Sequence, residues 1–271
     1  MKQFKIQGLS GLPITFDIHF SKQERSPLVI FLHGFKGFKD WGQWPILGDE
    51  MAKNGVSFLR MNFSHNGTTP ETPFDFTDLE AFGNNTFTKE IQDVKDVLNW
   101  TKSTHELDFS SIHIMAHSRG GAIGMIALNE LPMVKSLVTL SGVGNLVRFT
   151  DAELAYWKKS GVIYAANGRT KQQMPLRYSL AEDYLKNEKR FAPMEVVKSL
   201  KKPYLIIHAE NDETVLLKEA KNLSNNGITT SLEVLPLANH SFGGAHPYTE
   251  KTLPEHTKMA MQLALNFIKN N

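Results

Sequence analysis

The chain has 271 residues, 41% hydrophobic and 21% charged, the balance of a globular protein able to bury a sizeable core. Thirty basic residues against 28 acidic ones leave a net charge of +2 with no basic block, which argues against nucleic acid as a partner. The absence of cysteine excludes disulfides, thiolate metal sites and a cysteine nucleophile. No apolar run reaches the roughly 18 residues of a membrane span, and the opening MKQFKIQGLSG lacks the apolar region of a signal peptide. These features predict a cytoplasmic protein that does not engage membranes.

Phe4 to Leu9 and Ile14 to Phe20 read as two strands joined by the turn Ser10-Gly11-Leu12-Pro13. Pro27 to Leu32 is a continuous apolar run, the pattern of a strand covered on both faces, and it ends at His33-Gly34-Phe35. A short helix over 43–54 and a buried strand from Val56 to Phe63 follow, then a loop-like stretch over 66–85. Phe87, Ile91, Val94, Val97, Leu98 and Thr101 recur on one helical face. Lys135 to Ser141 is another buried strand. Tyr204 to His208 and Thr230 to Leu235 are the last two strands, with a helix from Val215 to Asn225 between them and a terminal helix opened by Pro254. Strands alternating with helices predict an α/β fold built on a mostly parallel sheet.

The rhythm breaks over 146–201, which reads as a lid inserted into a single domain spanning 1–271. Within it, Val162 to Arg169 carries an Asn-Gly pair of the kind that makes a two-residue hairpin turn. Tyr156, Trp157, Tyr164, Met174, Tyr178 and Tyr184 are the amphipathic side chains of this segment. Most should pack it onto the body, and one or two should line an acyl or alcohol pocket.

The stretch that carries chemistry is Ser111 to Gly124. Its apolar run leads into Ala116-His117-Ser118-Arg119-Gly120, a serine framed by small residues as a strand turns sharply into a helix. A serine hydroxyl needs a base to take its proton and an acid to orient that base. In an open α/β sheet both belong on loops at the carboxyl ends of strands. Asp212 stands past the strand ending at His208, with Glu210 and Glu213 as rivals in its loop. His240 stands past the last strand, with His246 as its rival. The oxyanion of acyl attack needs two N–H donors, for which the backbones of Arg119 and Phe35 are placed. No histidine pair has metal-ligand spacing beside a carboxylate, so neither a metal nor another cofactor is expected.

Together His33-Gly34-Phe35, Ala116-His117-Ser118-Arg119-Gly120, Asp212-x-x-Val215 and His240-x-Phe242 resemble the α/β-hydrolase superfamily over nearly the whole chain. The lid looks most like that of the feruloyl-esterase and acyl-peptidase-like serine hydrolases related to dienelactone hydrolase. The resemblance implies an α/β-hydrolase fold with an eight-stranded sheet, a triad of Ser118, Asp212 and His240, and hydrolysis of a small carboxylic ester. Ala116 stands for a usual Gly at the turn, and Ala209 for a Gly after His208. Asn62 to Gly67 stands where many relatives carry Asp-x-Arg-Gly. An amidase or peptidase, a thioesterase, and a binding protein without turnover are the competing readings. Lys36 and Lys39, flanking Phe35 and Gly37 to Phe38, read as solvated loop charges rather than substrate ligands.

Overall fold

The computed structural model describes residues 1–104 and 107–271. Its strands are β1 (Lys2–Gln7), β2 (Pro13–His19), β3 (Leu28–Leu32), β4 (Ser57–Met61), β5 (Ile112–His117), β6 (Val134–Leu140), β7 (Val162–Ala166), β8 (Gln173–Arg177), β9 (Tyr204–Ala209) and β10 (Thr230–Leu235). Strands β7 and β8 pair only with each other, and the remaining eight form one sheet in the order β1-β2-β4-β3-β5-β6-β9-β10. β2 runs antiparallel to both β1 and β4, and every other neighbour in the sheet is parallel.

The helices are α1 (Trp44–Lys53), α2 (Leu79–Gly83), α3 (Phe87–Ser103), α4 (Arg119–Glu130), α5 (Asp151–Ser160), α6 (Ser179–Lys186), α7 (Pro193–Ser199), α8 (Leu217–Asn226) and α9 (Glu255–Lys269). Successive side chains of a strand point to opposite faces, so a strand covered on both sides must be apolar throughout. Strand β3 shows this directly. Leu28, Ile30 and Leu32 join the core under α3, α4, α7 and α8, while Val29 and Phe31 join the core under α1 and α9. β9 divides in the same way, with Tyr204 and Ile206 on one side and Leu205 and Ile207 on the other.

Two local readings of the sequence need correction. Residues 66–85 are not all loop: Asp78 accepts the Ala81 N–H at 2.8 Å and caps the short helix α2, whose few residues leave no periodic signal. The β7–β8 connection is also wider than a two-residue turn. Ala166 pairs with Gln173 across residues 167–172, and the Asn167 side chain accepts the Arg169 and Thr170 N–H groups instead of forming a tight turn with Gly168. No helix among the described residues is long and apolar enough to cross a membrane.

The carboxyl end of β3 is braced by buried charge. Arg60 on β4 donates to Asp17 on β2 at 2.9 Å, to Asp40 at 2.7 Å and to the Lys39 carbonyl at 2.6 Å. It also donates to His19 Nε2, whose Nδ1–H then meets Asp49 at 2.7 Å. Lys39 donates to Asp17 at 2.6 Å. Lys39 is therefore no solvated charge. It is 5% exposed and ties the loop after β3 to the neighbouring strands. Burial would raise the Asp40 carboxyl, but the Arg60 and Lys39 charges outweigh it and hold the group below its ordinary pKa. Replacing Arg60 by Met leaves the Asp17 carboxylate buried with Lys39 as its remaining ion-pair partner. Denaturant unfolding of that variant should show a loss of about 3–5 kcal/mol, and a loss under about 1 kcal/mol would mean that the network does not brace this region.

Candidate active site

The chain turns from β5 into α4 at Ser118, which adopts φ 54° and ψ −122°. A non-glycine residue there carries roughly 1–3 kcal/mol of strain, held by the surrounding structure. Three backbone contacts hold it: Ser118 N–H donates to the Leu140 carbonyl at 3.0 Å, and the Ser118 carbonyl accepts from Gly121 at 2.9 Å and Val143 at 3.2 Å. Small neighbours make the turn possible. A Cβ on Gly34 would lie 2.9 Å from the Ser118 Cβ, and one on Gly120 would lie 2.6 Å from the His33 carbonyl oxygen. The loop after β3 and the start of α4 are thus in backbone contact beside the serine.

Asp212 lies in the loop after β9 with a fully buried side chain. Its Oδ1 accepts the N–H groups of Thr214 at 2.9 Å and Val215 at 2.8 Å, and its Oδ2 accepts from His240 Nδ1 at 2.7 Å. Burial alone would raise this carboxyl. The His240 and Val215 donors reverse the effect and bring it down to about 2. With Nδ1 as donor, the His240 imidazole presents Nε2 as an acceptor, and Nε2 has no partner among the described residues. His117 ties the end of β5 to the His240 loop: its Nε2–H donates to the His240 carbonyl at 2.9 Å, and the two rings lie 4.7 Å apart. Ser118 is partly exposed, and its hydroxyl makes no hydrogen bond among the described residues.

The rivals fall elsewhere. Glu210 is exposed and accepts the Leu237 N–H at 3.1 Å, and Glu213 is exposed. His246 accepts the Gly42 N–H at 3.0 Å and packs against Phe38, Trp41 and Phe74, away from Asp212. His208 donates to the Val215 carbonyl at 2.8 Å and braces the Asp212 loop from behind.

Phe35 and Arg119 line the same cavity as Ser118, and neither N–H has a backbone acceptor among the described residues. The Arg119 guanidinium stacks on the Phe35 ring at 4.6 Å and bonds Glu90, a carboxylate buried under α4 that no sequence pattern singled out. Lys36 departs from the solvated reading as well: its ammonium donates to the Ala166 carbonyl at 2.8 Å. The turn Asn62 to Gly67 holds the β3 loop. Asn62 accepts the Lys39 N–H at 2.7 Å, and Phe63 N–H donates to His33 Nε2 at 3.3 Å.

A cavity of about 240 Å³ opens at Ser118 and Arg119, walled by Phe35, Phe87, Val143, Leu146, Phe149, Leu176, Leu180 and Val215. The expectation that one or two of Tyr156, Trp157, Tyr164, Met174, Tyr178 and Tyr184 line it is not met. Trp157 and Met174 are buried in packing, and Tyr156 and Tyr164 are 66% and 61% exposed. Side chains from α3, β8, α6 and the loops after β3, β6 and β9 converge on this cavity, so no local pattern could have marked them.

The family model for the alpha/beta hydrolase fold matches residues 27–199. "Putative esterase YitV" of Bacillus subtilis (strain 168) is 24% identical over 216 residues, which is 79% of this chain and 80% of that protein. The structure of Est1E from Butyrivibrio proteoclasticus with ferulic acid bound superposes with a TM-score of 0.75 at 20% identity, covering 98% of each chain. A dienelactone hydrolase from Anabaena variabilis gives a TM-score of 0.67 at 14% identity, over 99% of this chain and 97% of that one. With the family match spanning most of its length and the same sheet beneath it, the chain belongs to the α/β-hydrolase family.

Proposed function

We propose that the protein is a serine hydrolase that cleaves carboxylic esters through an acyl-enzyme. The 2.7 Å Asp212–His240 contact carries this reading, because it fixes the tautomer that leaves Nε2 free to take a proton beside the strained Ser118 turn. His240 Nε2 removes the Ser118 proton as Oγ bonds the ester carbonyl carbon. The resulting oxyanion is held by the Phe35 and Arg119 N–H groups. On collapse the C–O bond to the alcohol breaks, and His240 returns the proton to the departing oxygen. Water then repeats the sequence on the acyl-serine and releases the acid. The Oγ–Nε2 hydrogen bond is commonly long in unliganded hydrolases and shortens with substrate in place.

The cavity suits one compact apolar group of the ester, about an aromatic ring with a short linker, and Est1E is a fold neighbour with ferulic acid bound. Residues 146–201 act as a lid in this reading, since Leu146, Phe149, Leu176 and Leu180 supply half the apolar wall.

Buried histidines keep excess charge away from the oxyanion. Burial lowers His33 to about 4, and burial together with the facing His240 lowers His117 to about 3. Asp212, down at about 2, is ionised near neutrality.

Ser118→Ala and His240→Ala should each cost about 10⁴-fold or more in kcat, with the double variant little worse, because the pair acts as a unit. Asp212→Asn should lose somewhat less and His246→Ala almost nothing; a reversal of the two histidines would refute the base assignment. Leu180→Trp fills the cavity, so kcat/KM for a hydroxycinnamate ester should fall by about 10-fold or more while that for an acetate ester holds. An unchanged ranking would place the recognised group elsewhere. Neither His33 nor His117 should titrate by NMR between pH 5 and 9. Both are neutral when folded but take a proton when unfolded, so their contribution to stability is present near neutrality and declines as the pH falls below about 6.5. Stability that held or rose on acidification from pH 6.5 to 5 would contradict this.

A further inference from the structure

The loop after β3 is held on both flanks, and at its apex the Phe35 ring packs against Phe82 and under the Arg119 guanidinium. Lys39, Asp40 and Asn62 hold the far flank, and His33 holds the near one. Between them a turn closed by Gly37 N–H on the Gly34 carbonyl at 3.1 Å carries Phe35 and Lys36 at its tip. Lys36 sits there at φ 57°, a left-handed conformation that an L-residue with a Cβ resists. The direction of the Phe35 N–H depends on this turn. The Phe35 N–H shares a peptide plane with the Gly34 carbonyl, which accepts from Gly37 N–H and from His33 Nδ1 at 2.9 Å; relaxation of Lys36 to a negative φ would break the Gly37 bond and loosen that plane.

One side-chain bond among the described residues ties that tip to the rest of the fold. Lys36 Nζ reaches across 130 positions to the carbonyl of Ala166, the last residue of β7. The β7–β8 hairpin that offers this carbonyl is anchored independently. Arg169 donates to the Phe74 carbonyl at 2.9 Å, Gln172 to the Phe76 carbonyl at 2.9 Å, and Arg177 to Glu80 at 2.6 Å. Trp157 donates to the Leu176 carbonyl at 2.8 Å from below. The hairpin is therefore the fixed partner, and the tip of the oxyanion loop is the part being guided. Lys36 itself does not line the Ser118 cavity.

We propose that Lys36 is a positioning residue that latches the oxyanion loop to the β7–β8 hairpin and so aims the Phe35 N–H. The proposal rests on the serine-hydrolase reading and gives the hairpin a role beyond covering the cavity. A well-seated hairpin sets the donor, and the donor matters only once negative charge forms on the carbonyl oxygen. The latch then acts on the transition state and leaves ground-state binding alone.

The test compares Lys36→Met, which keeps the aliphatic stem, with Lys36→Arg, which keeps a donor, in the full-length protein. Lys36→Met should lower kcat roughly fivefold to tenfold with KM within about twofold, the effect of one modest hydrogen bond expressed at the transition state. Its affinity for an arylboronic acid, which forms a tetrahedral adduct on serine, should fall by a similar factor. Lys36→Arg should recover most of both. Lys36→Gln, too short to reach Ala166, should behave as Lys36→Met and serves if the Met variant folds poorly. An unchanged kcat, a loss that appears in KM, or an equal loss in Lys36→Arg would overturn the latch. Ser118→Ala runs in the same assay: if it stays active, the hydrolase reading itself has failed, whereas an inactive Ser118→Ala beside a fully active Lys36→Met rejects the latch alone.

Discussion

The strained turn at Ser118 is the constraint around which the rest of the site is built. A left-handed serine between a strand and a helix is tolerable only where neighbouring backbone over-determines it. That backbone is Leu140, Gly121 and Val143, and the loop after β3 is pressed so close that neither Gly34 nor Gly120 has room for a Cβ. The same close approach gathers Phe35, Ser118 and Arg119 around one cavity. The parallel sheet supplies the remaining parts, because the loops after β9 and β10 emerge on the same edge and carry Asp212 and His240 to it.

Electrostatics is divided between two places with different tasks. Behind the β3 loop, Asp17, Lys39, Asp40 and Arg60 form a nearly neutral, almost completely buried cluster that fixes where the loop leaves the sheet. Such clusters add little net stability over apolar packing, but they are costly to break and therefore define position sharply. Around Ser118 the arrangement differs: His33 and His117 are kept neutral by burial, and the Arg119 charge is drawn off toward buried Glu90.

Much of this was legible in the sequence, and what was legible follows from local physics. The run from Pro27 to Leu32 read as a doubly covered strand because burial on both faces leaves no room for alternation, and Tyr204 to His208 read as a strand. The frame around Ser118 read as a tight turn because steric demand falls on residues adjacent in the chain. Asp212 and His240 could be named from their place after strands, and the structure brings these two together. What escaped was set by contacts between distant segments. The Lys36–Ala166 bond spans 130 positions, and the apolar wall gathers Phe87, Phe149, Leu176 and Leu180 from separate elements. Lys39 looked solvated because its partners Asp17 and Asp40 become a cluster only when β2 and β4 meet. The Asn167-Gly168 pair misled for a local reason: the Asn side chain capped a wider loop instead of a tight turn.

The central claim is that Ser118 is a nucleophile activated through His240. The most direct measurement is intact-mass and peptide mapping after exposure to a fluorophosphonate, in the native protein and in His240→Ala. One adduct on the peptide containing Ser118, formed at least 100-fold more slowly in the variant (about 2.7 kcal/mol of activation), is the result expected. An adduct on a different residue, or labelling of Ser118 at the same rate without His240, would contradict it.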